Sequence, residues 1–376
     1  MIISTTVITI IILYLMLIGS LAYGFDRIDT FYLQDLKPKT AFSIVIPFRN
    51  EEKHLKKLIV SINALHYPHE LFEVLFVNDQ SDDRSNEIIT DFFSNKKVNY
   101  KILHLPPSDG SPKKRAISMA IEEALNDWIV TTDADCILPK YWLDAIDQFI
   151  DHSEPNCIVA PVVIDATTNF TERYQALDML SLQGTTIGGF GLNHPFLCNG
   201  ANLAYKKSVF IALNGFNGNN HIASGDDIFL LEKLIKLDPK KVKYLKCEAA
   251  VVKTAPVKSF RLLIEQRVRW ASKTTRSKLF MAKFTGLIVV WANLIFLSLV
   301  PLFYFNLLTS NICLSLAVIK LSIDFLLLFK TARFLNKEDV LPSVLLSSII
   351  YPLICIYVAL ASPFLKYKWK GRLYSK

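Results

Sequence analysis

No Gly-x-Gly-x-x-Gly run occurs in the sequence, and the turn expected after its first strand, Pro47-Phe48-Arg49-Asn50-Glu51-Glu52, holds no glycine. A pyrophosphate cannot approach that turn as it does in dinucleotide-binding folds, which argues against a nicotinamide-dependent dehydrogenase. No Cys-x-x-Cys pair or metal-ligand spacing links Cys136, Cys157, Cys198, Cys247, Cys313 and Cys355. Reduced, mostly buried thiols are expected, which fits a cytosolic face for the middle of the chain. Charge is missing in places too. Residues 2–23 carry none, and from Lys258 to Lys283 eight basic residues face a single acid, Glu265.

What is present is apolar length at both ends. Hydrophobic residues make up 51% of the 376, a distribution suited to a membrane protein. Residues 1–24 read as an anchor, since roughly 20 helical residues cross the ~30 Å hydrocarbon layer. The competing reading, a cleaved signal peptide, lacks a basic leader and has too long an apolar run. Residues 284–365 hold three more apolar stretches, around 284–305, 312–329 and 340–363, of which two or three should span. The basic region 258–283 and the basic tail 366–376 both abut membrane segments. Neither carries a nucleic-acid-binding fingerprint, so anionic membrane lipids are the expected partner and nucleic acid is not. With the middle of the chain in the cytosol, the positive-inside rule keeps the tail with Lys366, Lys368, Lys370, Arg372 and Lys376 there as well. One of the three C-terminal stretches is then expected to be re-entrant or interfacial. Lys320 and Asp324, four apart in the middle stretch, either pair within a bundle or mark a segment that does not span.

Residues 37–257 alternate short apolar runs with helical patterns. The runs 41–47, 72–79, 100–105 and 127–135 predict strands. Asn50 is expected to cap one helix, and Ser111, with Pro112 at the first helical position, another. Strand, helix, strand predicts an α/β domain whose mostly parallel sheet is covered by helices on both faces. Ligands of such sheets bind at the strands' carboxyl ends, and here those ends carry Asn50-Glu51, Asn78-Asp79 and Asp133-Ala134-Asp135.

On an extended strand Asp133 and Asp135 share a face, where they would repel each other unless a cation lay between them. Oxygen ligands beside a diphosphate suit Mg²⁺ or Mn²⁺. The bland alternative is a solvated loop. Lys113, Lys114 and Arg115 occupy a helix's first turn, where each costs about a few tenths of a kcal/mol unless an anion sits there; a tolerated surface cluster is the alternative. Asn199-Gly200-Ala201-Asn202 is a turn that can bring backbone close to a ligand. Asp226-Asp227 precedes a helical start, where an N-cap role accounts for one acid but not both. Gln266, Arg269 and Trp270 share one helix face, which is also how an interfacial amphipathic helix would look.

Taken in order, Asp79, Asp133-Ala134-Asp135, Asp226-Asp227 and Gln266-x-x-Arg269-Trp270 resemble the motifs of the membrane-embedded family 2 inverting glycosyltransferases, the branch of the cellulose, chitin, hyaluronan and poly-N-acetylglucosamine synthases. The resemblance covers roughly residues 40–275. It implies a GT-A type domain over 37–257 that uses a nucleotide-sugar donor, UDP-linked in the first instance, and a glycan or lipid acceptor. Donor contacts would come from Pro47, Glu51, Asp79, Lys113, Lys114, Asp133 and Arg269. Asp135, with Asp133, would meet the metal, and Asp227 would be the base beside Asp226. Trp270, Gln266 and Asn199 would face the acceptor. The family's usual glutamate is Asp226 here, which leaves open how the two acids divide the work. Expected localisation is the inner or plasma membrane with the catalytic domain cytosolic. A processive synthase, a nucleotidyl- or phosphotransferase, and a non-catalytic nucleotide-sugar-binding protein are the rival readings.

Overall fold

Near-continuous apolar runs become the strands β1 (Phe42–Phe48), β2 (Phe72–Asn78) and β4 (Trp128–Thr131), and the half-polar run Asn99–His104 becomes β3. Eight further strands follow among the described residues: β5 (Cys136–Ile137), β6 (Cys157–Val159), β7 (Val162–Ile164), β8 (Leu203–Lys206), β9 (Val242–Tyr244), β10 (Val252–Thr254), β11 (Tyr367–Trp369) and β12 (Arg372–Tyr374). The computed structural model describes residues 2–108, 110–165, 168–219, 224–364, 367–369 and 372–374, the last two segments as backbone alone. It divides into two compact units. One is built from Asp29–Asp165, Cys198–Ala255 and Lys368–Lys376, the other from Met1–Ile28, Ala166–Leu197 and Pro256–Tyr367.

The first unit is organised by a seven-stranded sheet of order β3-β2-β1-β4-β8-β6-β9. Strands β3, β2, β1 and β4 run parallel, β8 enters antiparallel between β4 and β6, and β6 and β9 run parallel again. Phe42, Ile44, Ile46 and Phe48 of β1 and Phe72, Val74 and Phe76 of β2 point to one face. There they meet Leu55, Leu58, Ile59 and Ile62 of the helix Leu55–Asn63 and Ile89 and Phe93 of the helix Ser85–Phe93. Helix Pro112–Glu123 packs on β1 and β2 through Ala116, Ile117, Ala120 and Ile121. Burial on both faces is why these strands read as continuous apolar runs rather than alternating ones.

Two local expectations are corrected. The fourth strand stops at Thr131, where its pairing with both β1 and β8 ends. Asp133–Cys136 then form a turn closed by Cys136 N–H donating to the Asp133 carbonyl (3.1 Å), so the shared face of an extended strand does not apply to Asp133 and Asp135. Asn50 does not cap a helix. It adopts φ +52° and its Oδ1 accepts from Asp82 N (3.0 Å), while the helix begins only at Leu55. Ser111 does precede Pro112 at the helix start, although its side chain makes no capping bond.

The second unit is helical. Helices Ile2–Asp26, Phe280–Tyr304 and Ser310–Phe334 and the segment Glu338–Ala361 are each long and apolar enough to cross a membrane. Helix Phe170–Gly191, unforeseen in the sequence, packs along Ile2–Asp26 at backbone contact. A Cβ on Gly188 would lie 2.3 Å from the Leu21 carbonyl oxygen, and one on Gly24 2.3 Å from that of Gly188. Small residues are what permit such approach. Lys320 is 1% exposed and donates to Asp324 Oδ2 (2.7 Å), while the Tyr14 hydroxyl donates to Asp324 Oδ1. The two charges thus pair within the bundle. Of the basic tail, Lys366, Lys370 and Lys376 lie outside the described residues.

Candidate active site

The carboxyl ends of β1, β2 and β4 lie side by side. Asp79 N donates to the Phe48 carbonyl (2.9 Å) and Thr132 N to that of Val45 (3.2 Å). Arg49 Nη1 ties the first two ends together by donating to the Asp79 and Gln80 carbonyls (2.6 and 2.9 Å). Pro47 is the penultimate residue of β1, opposite Val77. Glu51, 8% exposed, donates its backbone N–H to Ser85 Oγ (2.9 Å), and Asp79 is 5% exposed. Pro47, Glu51 and Asp79 therefore occupy one end of the sheet. Arg49 was not singled out in the sequence, where it reads as one more surface cation.

Lys113 joins the two acidic motifs. From the first turn of Pro112–Glu123 its Nζ donates to Asp133 Oδ1 (2.7 Å) and lies 3.4 Å from Asp226 Oδ2. Burial disfavours its charge, but the carboxylates of Asp133, Asp226 and Asp227 outweigh that, so its pKa is raised above the ordinary lysine value. These carboxylates also offset the cost of a cation at a helix N-terminus. Lys114 is not brought to this group. It is 1% exposed, donates to the Asn219 carbonyl (2.7 Å) and lies 4.7 Å from the Phe229 ring centroid. Arg115 is also directed elsewhere, to the Ser108 and Pro106 carbonyls.

Asp226 and Asp227 open the helix Asp226–Leu237, whose N-cap is Gly225, so neither acid is the cap. In a first turn both are favoured by the macrodipole. Asp227 Oδ1 accepts from Ile228 N (2.8 Å), and its Oδ2 is 3.4 Å from Gly200 N. Gly200 leaves room here, since a Cβ on it would sit 3.1 Å from Asp226 Oδ2 and 3.6 Å from Lys113 Nζ. The Asn199–Asn202 turn is held by Asn199 Oδ1 accepting from Ala201 N (3.0 Å). Asn202 is fixed in turn by Trp142 Nε1 and by the Pro161 and Ala250 carbonyls.

Asp133 and Asp135 are partly exposed on their turn. Next to them, burial, then Asp135 and Asp133, push the Cys136 thiol well above its ordinary range, which removes it as a nucleophile. All six cysteines are free. Among the described residues no group of three or more His, Cys, Asp or Glu side chains is arranged to hold a metal. In the helical unit, Gln266, Arg269 and Trp270 are half-buried on the helix Phe260–Arg276.

Comparison with known proteins gives these positions a setting. Residues 43–213 match the family described as Glycosyl transferase family 2. A probable glycosyltransferase of Bacillus subtilis, YdaM, is 24% identical over 324 residues, 82% of this chain and 75% of that protein. The poly-beta-1,6-N-acetyl-D-glucosamine synthase of Staphylococcus epidermidis is 24% identical over 268 residues, 68% of this chain and 61% of that protein. Among solved structures, the mannosyltransferase PcManGT of Pyrobaculum calidifontis, in complex with GDP-Man and Mn²⁺, superposes with a TM-score of 0.57 at 16% identity. The match covers 96% of this chain and 97% of that one. The expected GT-A fold, with one N-terminal and three C-terminal apolar helices able to cross a membrane, is therefore the observed one. With residues 43–213 matching glycosyl transferase family 2 and the relatives named as glycosyltransferases, the chain is a glycosyltransferase.

Proposed function

We propose that the chain transfers a sugar, with inversion, from a nucleotide sugar to a hydroxyl of a membrane-held glycan or lipid acceptor. The observation that carries this reading is the single ammonium of Lys113 between Asp133 and Asp226, which sets a donor-side acid and an acceptor-side acid about one cation. Asp227 is the base. Its carboxylate is oriented by backbone N–H groups, whereas Asp226 is engaged by the lysine that also holds Asp133. The acceptor oxygen attacks the anomeric carbon and its proton passes to Asp227, while the bond to the diphosphate breaks on the opposite side. Lys113 would draw the diphosphate's negative charge, Pro47, Glu51 and Asp79 would hold base and ribose, and Asn199 would face the acceptor. For the helical unit the motif resemblance implies a diphosphate role for Arg269 and an acceptor role for Gln266 and Trp270.

Asp133 and Asp135 suit a divalent cation. They are hard oxygen donors on a partly exposed turn, and Mg²⁺ or Mn²⁺ commonly takes one or two carboxylates and completes its shell with phosphate oxygens and water. Such an ion, when bound, would offset charge on the departing diphosphate. The apolar helices support a membrane-held acceptor, and the free cysteines fit a cytosolic catalytic domain. The test is a screen of UDP- and GDP-linked donors with the purified full-length chain, reading nucleoside diphosphate release and product mass and anomeric configuration. Release with a new β-linked product from an α-linked donor is expected; retained configuration would overturn inversion, and no release from any donor would overturn the reading.

A further inference from the structure

Two residues before Arg269, helix Phe260–Arg276 carries the guanidinium of Arg267, to which the motif resemblance gives no role. Arg269 is half-buried. Arg267 differs, for its side chain is 9% exposed and ion-paired with the equally buried Asp178 of helix Phe170–Gly191. Its Nη1 donates to Gln266 Oε1 (2.8 Å), and its Cζ lies 4.2 Å from the centroid of the Trp270 ring. One buried cation thus touches two of the three residues on the Gln266, Arg269, Trp270 face, and it is fixed from outside that helix. The surroundings are apolar, with Tyr174, Leu263, Val268, Ile354 and Val358 forming one cluster. A charge persists in such a place only when paired, and Asp178 provides the pairing.

We propose that Arg267, held by Asp178, is the positioning residue of the acceptor face: it fixes the Gln266 amide and the plane of the Trp270 ring. This rests on the reading of Gln266 and Trp270 as acceptor-side residues. A planar guanidinium can stack on an indole and donate in a fork at once, which an ammonium cannot. Arg267→Lys therefore keeps the charge and removes the positioning.

The experiment uses the full-length chain. Arg267→Lys should lower kcat/KM for the acceptor by about 10²-fold, the scale of an ångström-level misplacement, with acceptor KM moving more than donor KM. Added to Trp270→Phe it should cost little further, because the two act as a unit. Additive losses, or equal effects on donor and acceptor KM, would overturn the proposal. The exchange Asp178→Arg with Arg267→Asp restores a pair but not the stack, so it should recover thermal stability without recovering acceptor KM. Recovery of both would mean the pair is structural only. If the wild-type chain released no nucleoside diphosphate, the glycosyltransfer reading would fall by itself. Positioning would then be read from Trp270 emission, wild type minus Trp270→Phe, which Arg267→Lys must shift and whose invariance would refute the claim.

Discussion

Lys113 Nζ donates to Asp133 Oδ1 across 2.7 Å, joining the start of one helix to the turn that follows β4. The lysine's pKa is raised because Asp133, Asp226 and Asp227 more than reverse the effect of its burial. A raised lysine contributes stability that is complete below the unfolded value, about 10.4, and is lost as pH climbs through the folded one. Lys113→Met should thus unfold more readily than wild type by about 2 kcal/mol at pH 7. That is less than for a fully buried pair, since the Asp133 side chain is 37% exposed. The gap should stay constant to about pH 10 and narrow above it. Thermal or denaturant unfolding across that range checks both points.

Gly200→Ala tests the close quarters of the same group. Its Cβ would press on Asp226 Oδ2 at 3.1 Å, so the carboxylate that lies 3.4 Å from Lys113 Nζ must shift by a few tenths of an ångström. Turnover should fall about tenfold, with an unfolding free energy within about 1 kcal/mol of wild type. An unaltered rate would mean that the placement of Asp226 is immaterial.

Asp227→Asn keeps the shape and removes the proton acceptor. Donor affinity should survive while kcat falls by roughly 10²-fold or more, as read from donor titration and initial rates. If Asp226→Asn is the damaging change and Asp227→Asn nearly silent, the two acids have exchanged roles.

Gly188→Leu addresses the helical unit. Even a Cβ there meets the Leu21 carbonyl oxygen at 2.3 Å, so the helices Ile2–Asp26 and Phe170–Gly191 must separate. A loss of about 1–3 kcal/mol is expected, visible as a lower midpoint of thermal unfolding in detergent. A midpoint equal to that of wild type would show that this contact does not hold the unit together.

The parallel half of the sheet was legible because β1 and β2 are buried, mostly apolar runs and β3 places Tyr100, Ile102 and Leu103 half-buried beside them, with helices between the strands. Pro112 marked its helix for a local reason, the fixed φ at a first helical position. What was not legible is long-range. β8 is four residues long and owes its place to pairing with both β4 and β6, and nothing in Leu203–Lys206 announces that. The strand read over 127–135 was overextended because Thr132 onward looks extendable until its neighbours' pairing ends. Lys113 stood out as a cation at a helix start, yet its neighbour Lys114 is turned to Asn219 and Phe229. No local rule separates adjacent lysines whose partners lie far along the chain.

The most direct test of the account is metal-dependent donor turnover in wild type and Asp135→Ala. Nucleoside diphosphate release would be followed against Mg²⁺ and Mn²⁺ with the full-length chain and its preferred donor. The account predicts release that requires the divalent ion in wild type and is lost in Asp135→Ala at any metal concentration, because alanine offers the cation no oxygen. Undiminished release by Asp135→Ala at saturating Mg²⁺ and Mn²⁺ would contradict it.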